Sequence, residues 1–158
     1  MLIRDGAPGG ETASPAFPPG QTPYVLEDQV GHLLRRAHQR HTALFAALFA
    51  AVGLTPTQWA ALAFLAAAGP MTQNLLGRST AMDPATIQGV VRRLTARGLV
   101  IRTSDPRDRR HVKLALTPAG TACYETAIAS AAAVSEATLA PLDPEARAAF
   151  LALLRRIA

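Results

Sequence analysis

Cysteine, aromatic residues and long apolar runs are all scarce in this chain of 158 residues. Its single cysteine, Cys123, excludes an intrachain disulfide and any zinc cluster built on cysteines. No stretch is long and apolar enough to span a bilayer, and no charged-then-apolar leader opens the chain. A cytoplasmic protein with no membrane partner is therefore expected. Aromatics make up only 5% of residues while alanine is abundant, which favours packed helices over sheets. There is no glycine-rich phosphate loop, no serine elbow and no suitably placed pair of acids, so neither an enzyme nor a cofactor is expected.

What the chain does have is unevenly placed positive charge. The formal net charge is +5. Residues 71–120 hold nine Arg/Lys and three Asp, and the remainder has seven basic and eight acidic residues. The whole basic excess thus lies in one third of the chain, an electrostatic footprint for a polyanion such as nucleic acid. A solvated basic face is the plainer alternative.

At the centre of that region is DPATIQGVVRRLTAR, residues 83–97. Asp83 suits an N-cap and Pro84 the first helical position. Ile87, Val90, Val91 and Leu94 recur at three- and four-residue spacing and predict one apolar face. Thr86, Gln88, Arg92 and Arg93 fall on the other. Gly89 lies mid-helix, where glycine costs about 1 kcal/mol relative to alanine, and a bare spot there suits close approach to another surface. An ordinary amphipathic surface helix would share the apolar pattern.

Residues 1–23 are rich in Gly, Pro, Ser and Thr and predict an extended arm outside the core. Residues 24–158 are expected to form one domain. A long helix is expected over about 25–52, with Leu26, Val30, Leu34, Ala37, Leu44, Phe45 and Leu48 in one stripe and Gly53 ending it. His41 falls in the centre of that stripe, with His38 on its flank. A second helix opens at Thr55-Pro56 and closes at Gly69-Pro70, and Thr72 caps a short one, TQNLLGR. Two short helices joined by a tight turn, the second polar-faced and arginine-bearing, form a helix-turn-helix pattern.

After Gly98 the hydrophobic period changes. Residues 99–103 and 111–117 read as strands around the charged turn SDPRDRR, a β-hairpin that must lean on the preceding helices because it carries few apolar residues. Thr117-Pro118 opens a long alanine-rich helix to about Leu139, and Asp143-Pro144 opens a last one to about Ile157.

The outward residues of the 83–97 helix are candidate DNA contacts. Thr86, Gln88 and Arg92 can reach base edges or phosphates, and Pro84, Ala85 and Gly89 permit close backbone or methyl contact. Thr72 and Gln73, at the start of the preceding short helix, join them. In the hairpin turn, Asp108 and Arg110 are two apart in an extended segment, so the carboxylate can hold the guanidinium. Arg107 and Arg109 flank them.

The run RGLVIR, the DPRDRR turn and LTPAG resemble the MarR family of winged-helix transcription regulators, over roughly residue 25 to the C-terminus. Within that family, DQVGHLLRRAHQRH and NLLGRSTAMDPATIQGVVRRL are most similar to regulators of aromatic-acid catabolism, the nicotinate-degradation branch in particular. The resemblance implies a mainly α fold: a winged helix-turn-helix lobe (55–116) with a two-stranded wing, and a helical dimerisation region (25–52 and 117–158). It implies a homodimer on double-stranded DNA, with Arg110 in the minor groove. Leu139, Leu142, Phe150, Leu151, Leu153 and Leu154 agree with this, since they exceed what one small fold needs to bury. The family's effector pocket lies between the long first helix, the second helix and the helix from Thr117, which makes His38, His41 and Trp59 candidates for holding a small aromatic acid.

The expectation is therefore a dimeric repressor released from a palindromic operator by a small aromatic carboxylate, such as a hydroxylated pyridine carboxylate. The rival is a metal- or oxidant-responsive regulator on the same fold. His38 and His41 could share a metal, but a four-ligand site needs two further ligands, and no metal site is assigned. The family's thiol sensors carry their cysteine in the first helix, where this chain has none. An RNA-binding or purely structural winged helix would lack both palindrome preference and an effector pocket.

Overall fold

The computed structural model describes residues 24–104 and 112–158. The arm at 1–23 and the hairpin turn, with Arg107, Asp108, Arg109 and Arg110, lie outside the described residues. Packing divides the chain into two compact units, one up to Arg35 and one from Arg36 to Ala158. Among the described residues, no helix is long and apolar enough to cross a membrane.

In the first unit a 3-10 turn, Leu26–Asp28, precedes helix α1, Val30–Leu48, which runs on into the second unit. The expected start near Val25 is thus corrected by five residues. Gln29 is extended, and its side-chain amide donates back to the Val25 carbonyl at 3.0 Å. Hydrophobic spacing carries through such a break unaltered, which is why periodicity alone placed the helix start too early. The far end is corrected too: α1 stops at Leu48 and residues 49–53 turn, with Gly53 at φ +66°.

The expected α1 stripe is buried only toward its C-terminal end. Phe45 is buried and stacks on the fully buried Phe49 at 3.9 Å, while Leu26, Val30, Leu34 and Leu48 are exposed. In the second unit α2 (Pro56–Ala68) opens with a capping box: Thr55 accepts from the Gln58 N–H and Gln58 accepts from the Thr55 N–H. Ala61, Leu62 and Leu65 of α2 then reach the core.

Helices α3 (Gln73–Ser79) and α4 (Pro84–Ala96) follow, then β1 (Val100–Ser104) and β2 (Val112–Leu116), paired antiparallel with Arg102 opposite Leu114. The hairpin leans on the helices as its composition requires. Met71 and Leu114 exchange both main-chain hydrogen bonds, 3.1 and 2.7 Å, so Met71 adds a third rung beside β2.

Helix α5 (Pro118–Leu139) starts at a tight junction. Thr117 donates its hydroxyl to the Gly98 carbonyl at 2.6 Å and accepts from the Gly120 N–H at 3.0 Å. A Cβ on Gly120 would collide with the Leu99 carbonyl, so the T-P-A-G run fits where the helix start meets the strand. Helix α6 (Pro144–Ile157) closes the chain, capped by Asp143 on the Ala146 N–H. It buries none of its residues.

Candidate nucleic-acid interface

The interface is built from the turn between α3 and α4. Met82 N–H reaches the Gly77 carbonyl at 2.9 Å and Ala81 N–H reaches the Arg78 carbonyl at 3.2 Å, the paired bonds of a Schellman motif. Its left-handed position, usually glycine, is occupied by Ala81 at φ 52°. At Gly77 a Cβ would meet Ile87 Cγ2 at 3.2 Å and the Met82 carbonyl at 3.3 Å, so the bare α-carbon lets α4 close on α3.

Helix α4 then seats itself by its apolar face. Ile87, Val90, Val91 and Leu94 are all buried, each contributing roughly 1.5–3 kcal/mol by leaving water. Its N-terminus is tied by Asp83, which accepts from the Ala85 and Thr86 N–H groups at 2.9 Å each and from the Thr86 hydroxyl at 2.6 Å. The Thr86 hydroxyl and N–H, followed by the Ala85 N–H, hold the Asp83 carboxyl below its usual value near 3.8. At its far end Arg97 donates to the Gly53 carbonyl at 2.7 Å.

The outer face of α4 forms one wall of an open concavity of about 620 Å³. Ala85, Gly89 and Ala96 make a low floor, and Gln88, Thr95, Arg92 and Arg102 stand around it. Among the described residues, no acid lines it. Two guanidinium groups and two neutral hydrogen-bonding side chains around a floor of methyl groups and bare α-carbon can take a phosphate or a base edge without repulsion.

The candidates divide clearly. Ala85, Gln88, Gly89 and Arg92 come together here. Pro84 is exposed at the helix start and lines a separate cleft with Arg78. Thr86 is half-buried, and its hydroxyl donates to Asp83 rather than standing free on the outer face. Thr72 caps α3 through the Leu75 N–H, and Gln73 accepts from Arg102 Nη2 at 3.2 Å. Arg102 also lines the concavity and was not among the expected contacts. Its signal was its place within the basic excess.

The effector candidates are not assembled into one cavity among those described. His38 is exposed. His41 is half-buried, with Nδ1 at 3.0 Å from Thr138 Oγ1, and that hydroxyl donates onward to the Val134 carbonyl at 2.7 Å. With Nδ1 engaged by Thr138, Nε2 is the ring nitrogen left for a ligand. Trp59 stacks on Tyr124, 5.4 Å between centroids, and tilts against Phe49 at 5.5 Å. Among the described residues, no three His, Cys, Asp or Glu side chains gather as a metal site would need.

Comparison with known proteins agrees with this fold. The model of the MarR family matches residues 52–111. The HTH-type transcriptional repressor NicR of Pseudomonas putida is 43% identical over 147 residues, 93% of each chain. The crystal structure of a probable transcriptional regulator from Pseudomonas aeruginosa superposes with a TM-score of 0.82 at 49% identity, covering 85% of this chain and all of that one. BpsR of Bordetella bronchiseptica, whose DNA binding is regulated by 6-hydroxynicotinic acid, gives the same TM-score at 40% identity over 86% of this chain and 97% of its own. The chain belongs to the MarR family: it is a winged-helix, DNA-binding transcription regulator and not an enzyme.

Proposed function

We propose that the protein is a dimeric repressor that holds a palindromic operator and leaves it when a small aromatic carboxylate binds. The DNA reading is supported by the concavity between α4 and Arg102, which no acid lines among the described residues. The dimer reading is supported by α6, where Phe150, Leu153 and Ile157 are 40%, 58% and 72% exposed in a single chain. Apolar side chains placed so on a capped helix want a second surface. Dimerisation through 25–52 and 117–158 leaves the 55–116 lobes free to occupy successive major-groove faces, with half-site centres about 10 base pairs apart.

The effector class rests on the similarity to NicR and BpsR. A hydroxylated pyridine carboxylate is the first candidate, and His41 Nε2 offers it one polar contact. A ligand that favours a lobe spacing unlike that of the DNA-bound form shifts the population off the operator.

The test is a binding titration on the intergenic DNA beside the protein's own gene, with 6-hydroxynicotinic acid and hydroxybenzoates added. Tight, salt-sensitive binding to one palindrome, released by one acid and not by metal ions or peroxide, is expected. Release by metal or peroxide alone would transfer the reading to the rival class. In the same assay Arg110→Ala should weaken binding by roughly 1–3 kcal/mol if it enters the minor groove. Wild-type release of DNA from both His41→Ala and Trp59→Ala would place the effector elsewhere.

A further inference from the structure

We propose that Arg102 is a contact to a DNA backbone phosphate and that Gln73 is a positioning residue that holds its guanidinium, in place of the direct DNA contact expected of Gln73. The inference rests on the DNA-binding reading and deepens it.

Three observations carry it. First, Gln73 Oε1 accepts from Arg102 Nη2 at 3.2 Å across 29 residues of chain. Second, main-chain bonds bring the two together: Arg102 pairs with Leu114 in the hairpin, and Leu114 bonds both ways to Met71, two residues before Gln73. The meeting is therefore set by backbone register, with the side chains following. Third, Arg102 lines the concavity beside Arg92, Thr95 and Ala96, and among the described residues no acid lines it.

The chemistry favours a phosphodiester. A recognition helix presents its N-terminal residues to base edges, and Thr95 and Ala96 belong to the last turn of α4. In that docking the strand-side wall at the other end of α4 would face the duplex backbone. A phosphate spreads one negative charge over two oxygens, which matches the guanidinium fork. A long arginine left free would lose rotamer entropy on binding. The Gln73 amide restricts it beforehand, and Gln73 then acts only through Arg102.

The experiment measures affinity by fluorescence anisotropy for an operator duplex and an unrelated duplex of equal length, across a series of salt concentrations. Arg102→Ala should weaken both duplexes by the same factor, about tenfold. It should also flatten the plot of log affinity against log salt by about 0.9 for each phosphate that the variant no longer neutralises. Gln73→Ala should cost less, about threefold, and the double variant should bind no worse than Arg102→Ala alone. Arg102→Lys keeps the charge, so it should retain most of the salt slope while losing sensitivity to Gln73→Ala.

A loss confined to the operator would make Arg102 a base reader and overturn the phosphate assignment. Additive losses would show Gln73 touching DNA on its own account. Unchanged binding by a folded Arg102→Ala protein would overturn the inference and leave the DNA reading standing. Failure of the wild type to prefer any duplex would remove that reading itself.

Discussion

Helices α4 and α6 begin alike and end differently. Each follows an Asp-Pro pair, with the aspartate as N-cap and the proline at the first helical position, and each is amphipathic over 13 or 14 residues. Yet α4 buries four residues and α6 none. The same local instructions make both helices; what differs is whether the chain itself supplies a partner for the apolar face. For α4 the partner is internal, through Leu62, Leu76 and the hairpin, all part of one core. For α6 we propose that it is a second copy.

The sharpest way to break that contrast is to truncate one leucine on each helix. Leu94 of α4 is fully buried, and Leu94→Ala should cost about 2–5 kcal/mol in chemical denaturation. Leu153 of α6 is 58% exposed, and Leu153→Ala should cost under about 0.5 kcal/mol at protein concentrations where only monomer is present. At concentrations that favour dimer the Leu153 penalty should grow. A penalty that stays small at every concentration would mean that α6 meets no partner.

A charge tests the same face directly. Phe150→Asp should leave helical circular dichroism near wild type while sedimentation shows the mass of one chain. Retention of a two-chain mass would place the interface elsewhere. Operator affinity should fall with the dimer, because two half-sites joined in one protein bind as a linked pair.

The two caps differ as well. Asp143 takes one N–H, from Ala146, whereas Asp83 takes two N–H groups and the Thr86 hydroxyl. Because these bonds lower the Asp83 pKa in the folded state, its stabilisation is fully present above the unfolded value, near 3.8. It is lost as pH falls through the lower folded value. Asp83→Asn should thus lower Tm at neutral pH, and the gap from wild type should close as pH falls through the lowered folded value. A gap of constant size would show that charge plays no part in the cap.

How much of the molecule is legible in residue order follows the range of each interaction. Caps at Thr55, Thr72, Asp83, Thr117 and Asp143 lie within three residues of their partners, so residue order reveals them. The apolar face of α4 is legible for the same reason. The Schellman turn is not, because Ala81 stands where glycine would have marked it. Pairings across long stretches of chain are also hidden: His41 with Thr138, Trp59 with Tyr124, and Gln73 with Arg102. Period and spacing cannot say which side chain of a distant element fills a given hydrogen-bond vacancy. Sequence therefore placed His41 in an apolar stripe without naming its partner, and it supplied Gln73 as a DNA contact without showing that its oxygen was taken.

A stabilising substitution separates folding from recognition on α4 itself. At Gly89 the nearest atoms to an added Cβ would be those of the Arg93 guanidinium, at 3.4–3.8 Å, ordinary contact with the far end of a flexible side chain. Gly89→Ala therefore fits the free protein. It should stabilise the helix by about 0.5–1 kcal/mol, since alanine gives up less backbone freedom than glycine. The same methyl would rise from the floor of the concavity between Gln88, Arg92 and Arg102. If DNA approaches there, operator affinity should fall even as Tm rises, a combination that no purely structural role produces. A rise in Tm with unchanged affinity would show that bound DNA leaves this floor uncovered, and the contact surface would then have to be sought toward Pro84.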